Sequence, residues 1–218
     1  MKKYFVFLFS IVVIALSGFV QTPQINSEED KLSGRVDSVL SLMSLDEKIG
    51  QLNQLSFGIG WGPTVKVAVP DEYKQQIREG KIGSFLNAIG AEFTYELQKV
   101  ATQESRLKIP LIFGLDVIHG FKTTFPVPLG EAATWQPELV EMSAHYQALE
   151  AASAGIHWTF SPMVDIARDP RWGRIMEGAG EDPYLGSLMA AAHVRGYQGN
   201  FSNLNILACV KHYAGYGG

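Results

Sequence analysis

Apolar positions in this chain follow a repeating beat from Gly80 onward. Residues 82–87, 111–115, 156–160 and 206–210 are short apolar runs, the form taken by strands covered on both faces. Between them, 92–105, 137–154 and 182–197 predict helices. Pro137 falls in a first turn and Gly155 just past an end, and Asp182 precedes Pro183 as a cap precedes a first helical residue. Strand and helix in alternation predict a parallel sheet covered by helices. Upstream, Val36, Val39, Leu40 and Met43 recur at helical spacing. Ser44 and Glu47 then have capping-box form for a second helix, whose apolar stripe continues through Ile49, Leu52 and Leu55. Both helices are expected to pack under the larger body.

The polar residues give that beat a direction. Asp116 and His119 follow the second strand, Arg168 to Arg174 follow the third, and Lys211 and His212 follow the fourth. In a (β/α)8 barrel these positions share the one face that carries active sites. A doubly wound sheet also gathers strand ends, but its first-turn glycine fingerprint for a dinucleotide is missing, which argues against a nucleotide-binding α/β protein. The predicted fold is therefore α/β, the amino-terminal half of a (β/α)8 TIM-type barrel, with about four βα units preceded by helices. Units of roughly 42 residues would need roughly 340 for a full barrel. The chain has 218, so its fourth strand is expected to leave an unpaired apolar edge.

Composition narrows the function classes. With 46% hydrophobic and 18% charged residues the chain is globular rather than disordered. A net charge of -4 without a basic patch excludes a nucleic-acid partner. The single cysteine, Cys209, rules out an internal disulfide framework, and its apolar neighbours predict a buried small side chain. No Cys/His group has zinc spacing, and nothing calls for a metal or organic cofactor.

Residues 1–20 combine Lys2 and Lys3, an apolar run and the small residues Ala15, Ser17 and Gly18. That is the form of a secretory signal peptide, and the run is short for the rival reading, a membrane anchor. The chain is expected to be exported, to a periplasmic or extracellular location, with no stable membrane span after cleavage. Residues 21–32 are expected as a linker and 33–218 as the partial barrel. Gly58 to Pro63 is a glycine-rich loop without phosphate-binding form. Asn200-Phe201-Ser202 matches a glycosylation sequon, read here as an unmodified surface loop.

The densest chemistry lies in residues 158–186. Arg168, Asp169, Arg171 and Arg174 crowd together with Trp172, and Glu177, Glu181 and Asp182 follow. Pro162, Pro170, Gly173, Gly178 and Gly180 exclude regular structure there. Such a loop either aims arginine donors at a ligand or pairs them internally. Asp116 ends its strand with a carboxylate that could accept from vicinal hydroxyls, or could cap a helix or pair with Lys122. His119 is expected to be hydrogen-bonded beneath the site, and the run from Thr123 through Pro128 to be a stiff connecting loop. Lys211 and His212 are adjacent, so in a regular strand they would face opposite ways. If both address one ligand the backbone must turn between them, through a strained or cis peptide. No Ser/His/Asp or Cys/His nucleophile set is present.

Three motifs carry a resemblance. FGLDVIHG ending at Gly120, PMVDIARDPRWGR ending at Arg174 with EGAGEDPYL after it, and VKHYAGYGG ending at Gly218 together resemble glycoside hydrolase family 3. They are most similar to its secreted bacterial β-glucosidase type, from about Ser44 to the last residue. The KHYAGYG form departs from the KHFPGHG of the β-N-acetylhexosaminidase branch. The resemblance implies a barrel whose top face binds a terminal β-linked glucosyl unit and hydrolyses it with retention. It implies that Asp116, Arg168, Lys211 and His212 bind the sugar hydroxyls, with Arg174 and Glu177 supporting them. The family's nucleophile aspartate and acid/base glutamate come from segments this sequence lacks, so no catalytic residue is assigned here. Asp165 and Asp169 are expected to be loop-fixing partners of the arginines. A non-catalytic carbohydrate-binding half-barrel, and β-xylosidase or exo-glucanase specificity, remain as alternatives.

Overall fold

A computed structural model describes residues 27–57 and 69–217. The expected signal peptide and the glycine-rich loop at 58–63 lie outside the described residues. Residues 27–32, expected as linker, instead open the helix α1 (Ser27–Leu42), which belongs to a unit separate from residues 43–218. Its Val36, Val39 and Leu40 are exposed.

In the second unit, α2 (Leu45–Gln51) starts on the expected capping box. The Glu47 N–H donates to the Ser44 hydroxyl at 3.2 Å, and the Ser44 N–H donates to the Glu47 carboxylate at 2.9 Å. The apolar stripe does not continue as helix, however. Leu52 is exposed, and Leu55 lies in a strand, β1 (Gln54–Ser56). There follow α3 (Asp71–Arg78), β2 (Ser84–Leu86), α4 (Ala91–Lys99) with a π-helical turn at Val100–Glu104, and β3 (Ile112–Leu115). Next come α5 (Pro128–Ala132), α6 (Pro137–Ser153), β4 (Trp158–Thr159), a 3-10 turn (Ile175–Glu177), α7 (Pro183–Gln198) and β5 (Leu207–Ala208). Pro128 thus begins a short helix where a loop was expected. Asp182 caps α7 by accepting the Tyr184 N–H at 2.9 Å.

All five strands are parallel, and each pairs with its sequence neighbours in the order β1-β2-β3-β4-β5. Sequential order is the winding of a βα barrel; a doubly wound sheet reverses direction at a switch point. The fold is the amino-terminal half of a TIM-type barrel. Leu55, Phe85 and Phe113 lie in register on one face, and Phe85 and Phe113 are fully buried under the helices with Leu97, Ala144, Ala148 and Tyr197. Ile112 and Leu207, on the opposite face, are 42% and 45% exposed. Val210, beyond the end of β5, is exposed as well. Among the described residues no helix is long and apolar enough to cross a membrane.

A polar network crosses the helix-covered layer. The Tyr197 hydroxyl donates to the Val117 carbonyl at 2.9 Å, with Gln147 Oε1 at 3.2 Å and Ser161 Oγ at 3.3 Å. Burial holds its phenol above the ordinary tyrosine range. His193 and Glu131, both nearly buried, pair at 2.9 Å, and Ser143 donates to Glu131. These bonds tie the segments that leave β3 and β4 to α6 and α7.

Glu47 also pairs with Arg106, whose Nε donates at 3.0 Å. The Arg106 bonds, with the Ser44 N–H, hold its carboxyl down at about 2. A depressed carboxyl stabilises the fold fully above its unfolded value, and the contribution disappears as pH falls from there through about 2. Thermal unfolding of wild type and Glu47→Gln should therefore show a Tm gap near neutrality that closes between 4.5 and about 2. A gap constant across that window would contradict the assignment.

Candidate functional site

The site is built where β3, β4 and β5 release the chain. Asp116 follows β3 directly and its side chain is half exposed. Pairing between the β4 and β5 segments continues past the strands through a Met163–Lys211 bridge, with the Val164 N–H donating to the Lys211 carbonyl at 2.7 Å. This brings the largely buried Lys211 ammonium within 2.9 Å of Asp116 Oδ1. The next peptide, Lys211–His212, is cis. His212 Nδ1 lies 2.8 Å from Oδ2 of Asp165, a buried carboxylate that also accepts the His212 backbone N–H at 3.2 Å.

Arg174 closes the other side. It donates two bonds to Glu177, at 2.7 and 2.6 Å, and these bonds hold the Glu177 carboxyl below its ordinary range. The same bonds, with the contact to Tyr216, raise the guanidinium further above its already high value. Arg174 Nη1 lies 3.4 Å from both His212 Nε2 and the Tyr216 hydroxyl. The Tyr216 ring meets His212 edge-on at 4.5 Å and Trp172 at 5.4 Å. Gly217 lets this segment fold over the Asp165 loop. At φ 97° a Cβ would stand 2.9 Å from the Ile166 carbonyl and 3.0 Å from the Asp165 Cβ.

Of the residues singled out from sequence, Asp116, Lys211, His212, Arg174 and Glu177 thus join one chain of contacts with Asp165. Arg168 joins none of these contacts; it is exposed and without a hydrogen bond or ion pair among the described residues. The internally paired alternative describes two of the three arginines, since Arg171 binds Asp169 at 3.0 Å just as Arg174 binds Glu177. Asp169 is therefore an arginine partner as expected, whereas Asp165 takes His212 instead. Asp116 pairs with Lys211 and not Lys122, whose backbone N–H, like that of Thr123, is held by Glu150. The expected hydrogen bond of the His119 ring is not seen: Nδ1 is buried with no partner among the described residues. Cys209 is only half-buried, not buried as expected. Sequence reasoning gave Asp165 the wrong partner and missed Tyr216. The signal for Tyr216 was an aromatic between Gly215 and Gly217, four residues past His212.

A parallel sheet wound in sequence order, with its charged cluster at the strand C-termini, defines half of a βα barrel with a site on its strand-end face. The chain belongs to glycosyl hydrolase family 3: the description of that family's N terminal domain matches residues 44–218. The periplasmic beta-glucosidase of Salmonella typhimurium is 40% identical over 188 residues, covering 84% of this chain and 23% of that protein. A beta-xylosidase of Formosa agariphila is 30% identical over 196 residues, covering 88% of this chain and 22% of its own length. Among solved structures, the beta-glucosidase from Listeria innocua in complex with glucose superposes with a TM-score of 0.73 at 42% identity, over 84% of this chain and 27% of that one. The same enzyme has been crystallised in mutant form with laminaribiose. The chain spans about a quarter of the length of these relatives.

Proposed function

We propose that this chain supplies the hydroxyl-binding side of the glucosyl subsite in an exported, retaining β-glucosidase. The observation that carries the reading is the Asp116–Lys211 pair, 2.9 Å apart where β3 and β5 end. A carboxylate accepts from two vicinal hydroxyls and an ammonium donates to hydroxyl oxygens, so the pair suits a polyol and no apolar ligand. Asp116, Arg168, Lys211 and His212 are proposed to hold the non-reducing sugar, with Arg174 and Glu177 fixing His212 from behind. The leader-like sequence and the periplasmic relative of Salmonella typhimurium support a bacterial periplasmic location.

Retention needs two carboxylates about 5 Å apart, one as nucleophile and one as acid/base. In the cluster Asp116 pairs with Lys211, Asp165 with His212 and Glu177 with Arg174, and none of the three is assigned the attacking role. Both catalytic carboxylates are proposed to come from outside these 218 residues. The isolated chain is therefore expected to release no aryl alcohol from an aryl β-glucoside, while the protein extended by its downstream reading frame is expected to turn it over. Turnover by the purified 218-residue chain would overturn this division of labour.

A second reading, β-xylosidase, is favoured by the Formosa agariphila relative. The ratio of aryl β-glucoside to aryl β-xyloside turnover by the extended protein decides between them.

A further inference from the structure

The partners of His212 fix the state of its ring as well as its position. Oδ2 of Asp165, whose side chain is 3% exposed, lies 2.8 Å from Nδ1 and also accepts the His212 backbone N–H. A carboxylate only accepts, so Nδ1 carries a hydrogen. On the other side Nε2 lies 3.4 Å from Nη1 of Arg174. A guanidinium only donates and stays protonated, so a hydrogen on Nε2 would set two donors against each other. The remaining groups around the ring are Tyr216 at its edge, Glu177 beyond Arg174, and Lys211 on the preceding residue. The neutral ring with its hydrogen on Nδ1 is the state in which both nitrogens meet complementary partners.

We propose that Asp165 is a positioning residue that holds His212 as the neutral Nδ1–H imidazole, so that Nε2 exchanges its long 3.4 Å contact with Arg174 for a ligand hydroxyl and meets it as a hydrogen-bond acceptor. The proposal rests on reading the cluster as a sugar site. It gives the site a defined polarity: Asp116 and His212 accept, and Lys211 donates between them. A hydroxyl bound at His212 must then donate its hydrogen bond to the ring. A fluorine in its place, which cannot donate, should be refused as firmly as a bare hydrogen.

Two measurements on the full-length protein test this. The first is long-range proton–nitrogen spectroscopy on histidine labelled with nitrogen-15, the ring assigned by loss of its signals in His212→Gln. A protonated Nδ1 with an unprotonated Nε2 is expected near neutral pH. Asp165→Asn, whose amide is a weaker acceptor and can turn an N–H toward the ring, is expected to break that single tautomer. A hydrogen on Nε2 in the wild type, or an unchanged tautomer in Asp165→Asn, would overturn the proposal.

The second needs no Asp165 variant and so does not depend on its folding. Inhibition constants are measured for glucose and its monodeoxy and monodeoxyfluoro analogues, and the hydroxyl whose discrimination vanishes in His212→Ala is the one that meets the ring. At that position both analogues are expected to bind roughly tenfold or more weakly than glucose. A fluoro analogue bound like glucose there would overturn the acceptor role with the sugar-site reading intact. If no hydroxyl answers to His212→Ala, the proposal falls together with that reading.

Discussion

Asp116→Ala in the full-length protein is expected to lower kcat/KM for an aryl β-glucoside by roughly a hundredfold to ten-thousandfold. Two hydrogen bonds from ligand hydroxyls to a charged carboxylate are worth about 1.5–3 kcal/mol each, and each 1.4 kcal/mol is a factor of ten. A second loss falls on Lys211. Its ammonium is largely buried, 13% exposed, and Asp116 at 2.9 Å is its only ion-pair partner among the described residues. Without that partner Lys211 is free to turn away from the ligand, so the loss should exceed that of removing an isolated carboxylate. Stability should fall less than activity: the Asp116 side chain is half exposed and outside the core, so the cost to the fold is that of leaving the Lys211 ammonium unpaired. Kinetics and thermal unfolding of the same variant separate the two effects. A loss under about fivefold, with Tm unchanged, would remove Asp116 from the site.

The sequence made the long elements legible because their ends carry local chemistry. α6 begins at Pro137 and ends just before Gly155, whose φ is 84°, and α7 begins where Asp182 caps it. The capping box of Ser44 and Glu47 formed for the same reason: both partners lie within one turn. β1 was not legible. Gln54–Ser56 holds one apolar residue, Leu55, and that residue fits the preceding helical stripe. What makes it a strand is remote: Leu55 pairs with Phe85, and Phe57 stacks on Phe85 at 5.0 Å. Tertiary pairing overrides local pattern in a strand this short.

The candidate site divides along the same line. Arg174 and Glu177, three residues apart, could be paired from sequence. Asp165 could not, since the nearest cations in sequence are the arginines that follow it. Its partner His212 is 47 residues away and arrives only because β5 pairs beside β4. The buried network of Tyr197, Gln147 and Ser161 was equally silent, because each residue alone is unremarkable in its own element.

Gly196→Ala makes the contrast between local and tertiary dictates measurable. By helix propensity alone, replacing a glycine inside α7 with alanine should stabilise by about 1 kcal/mol. The structure predicts the opposite sign. A Cβ at Gly196 would lie 2.3 Å from the Glu141 carbonyl oxygen, 2.6 Å from the Ala144 Cβ and 3.0 Å from the His145 nitrogen. Most of those are backbone atoms of α6, so no side chain can swing aside, and the two helices must separate. Ala144, Ala148 and Ala192, all fully buried, show how closely small residues let α6 and α7 approach. Overpacking of this kind costs about 1–3 kcal/mol, and more where backbone has to move. A Tm several degrees lower is expected, at about 2–4 °C for each kcal/mol in a domain of this size. Gly186, in the same helix, is the control. Its nearest neighbour would be the Ala179 Cβ at 4.0 Å, so Gly186→Ala should leave Tm unchanged or raise it. Opposite signs for two identical substitutions in α7 would separate packing from propensity. A rise in Tm for both would mean that the helices do not approach through Gly196 as described.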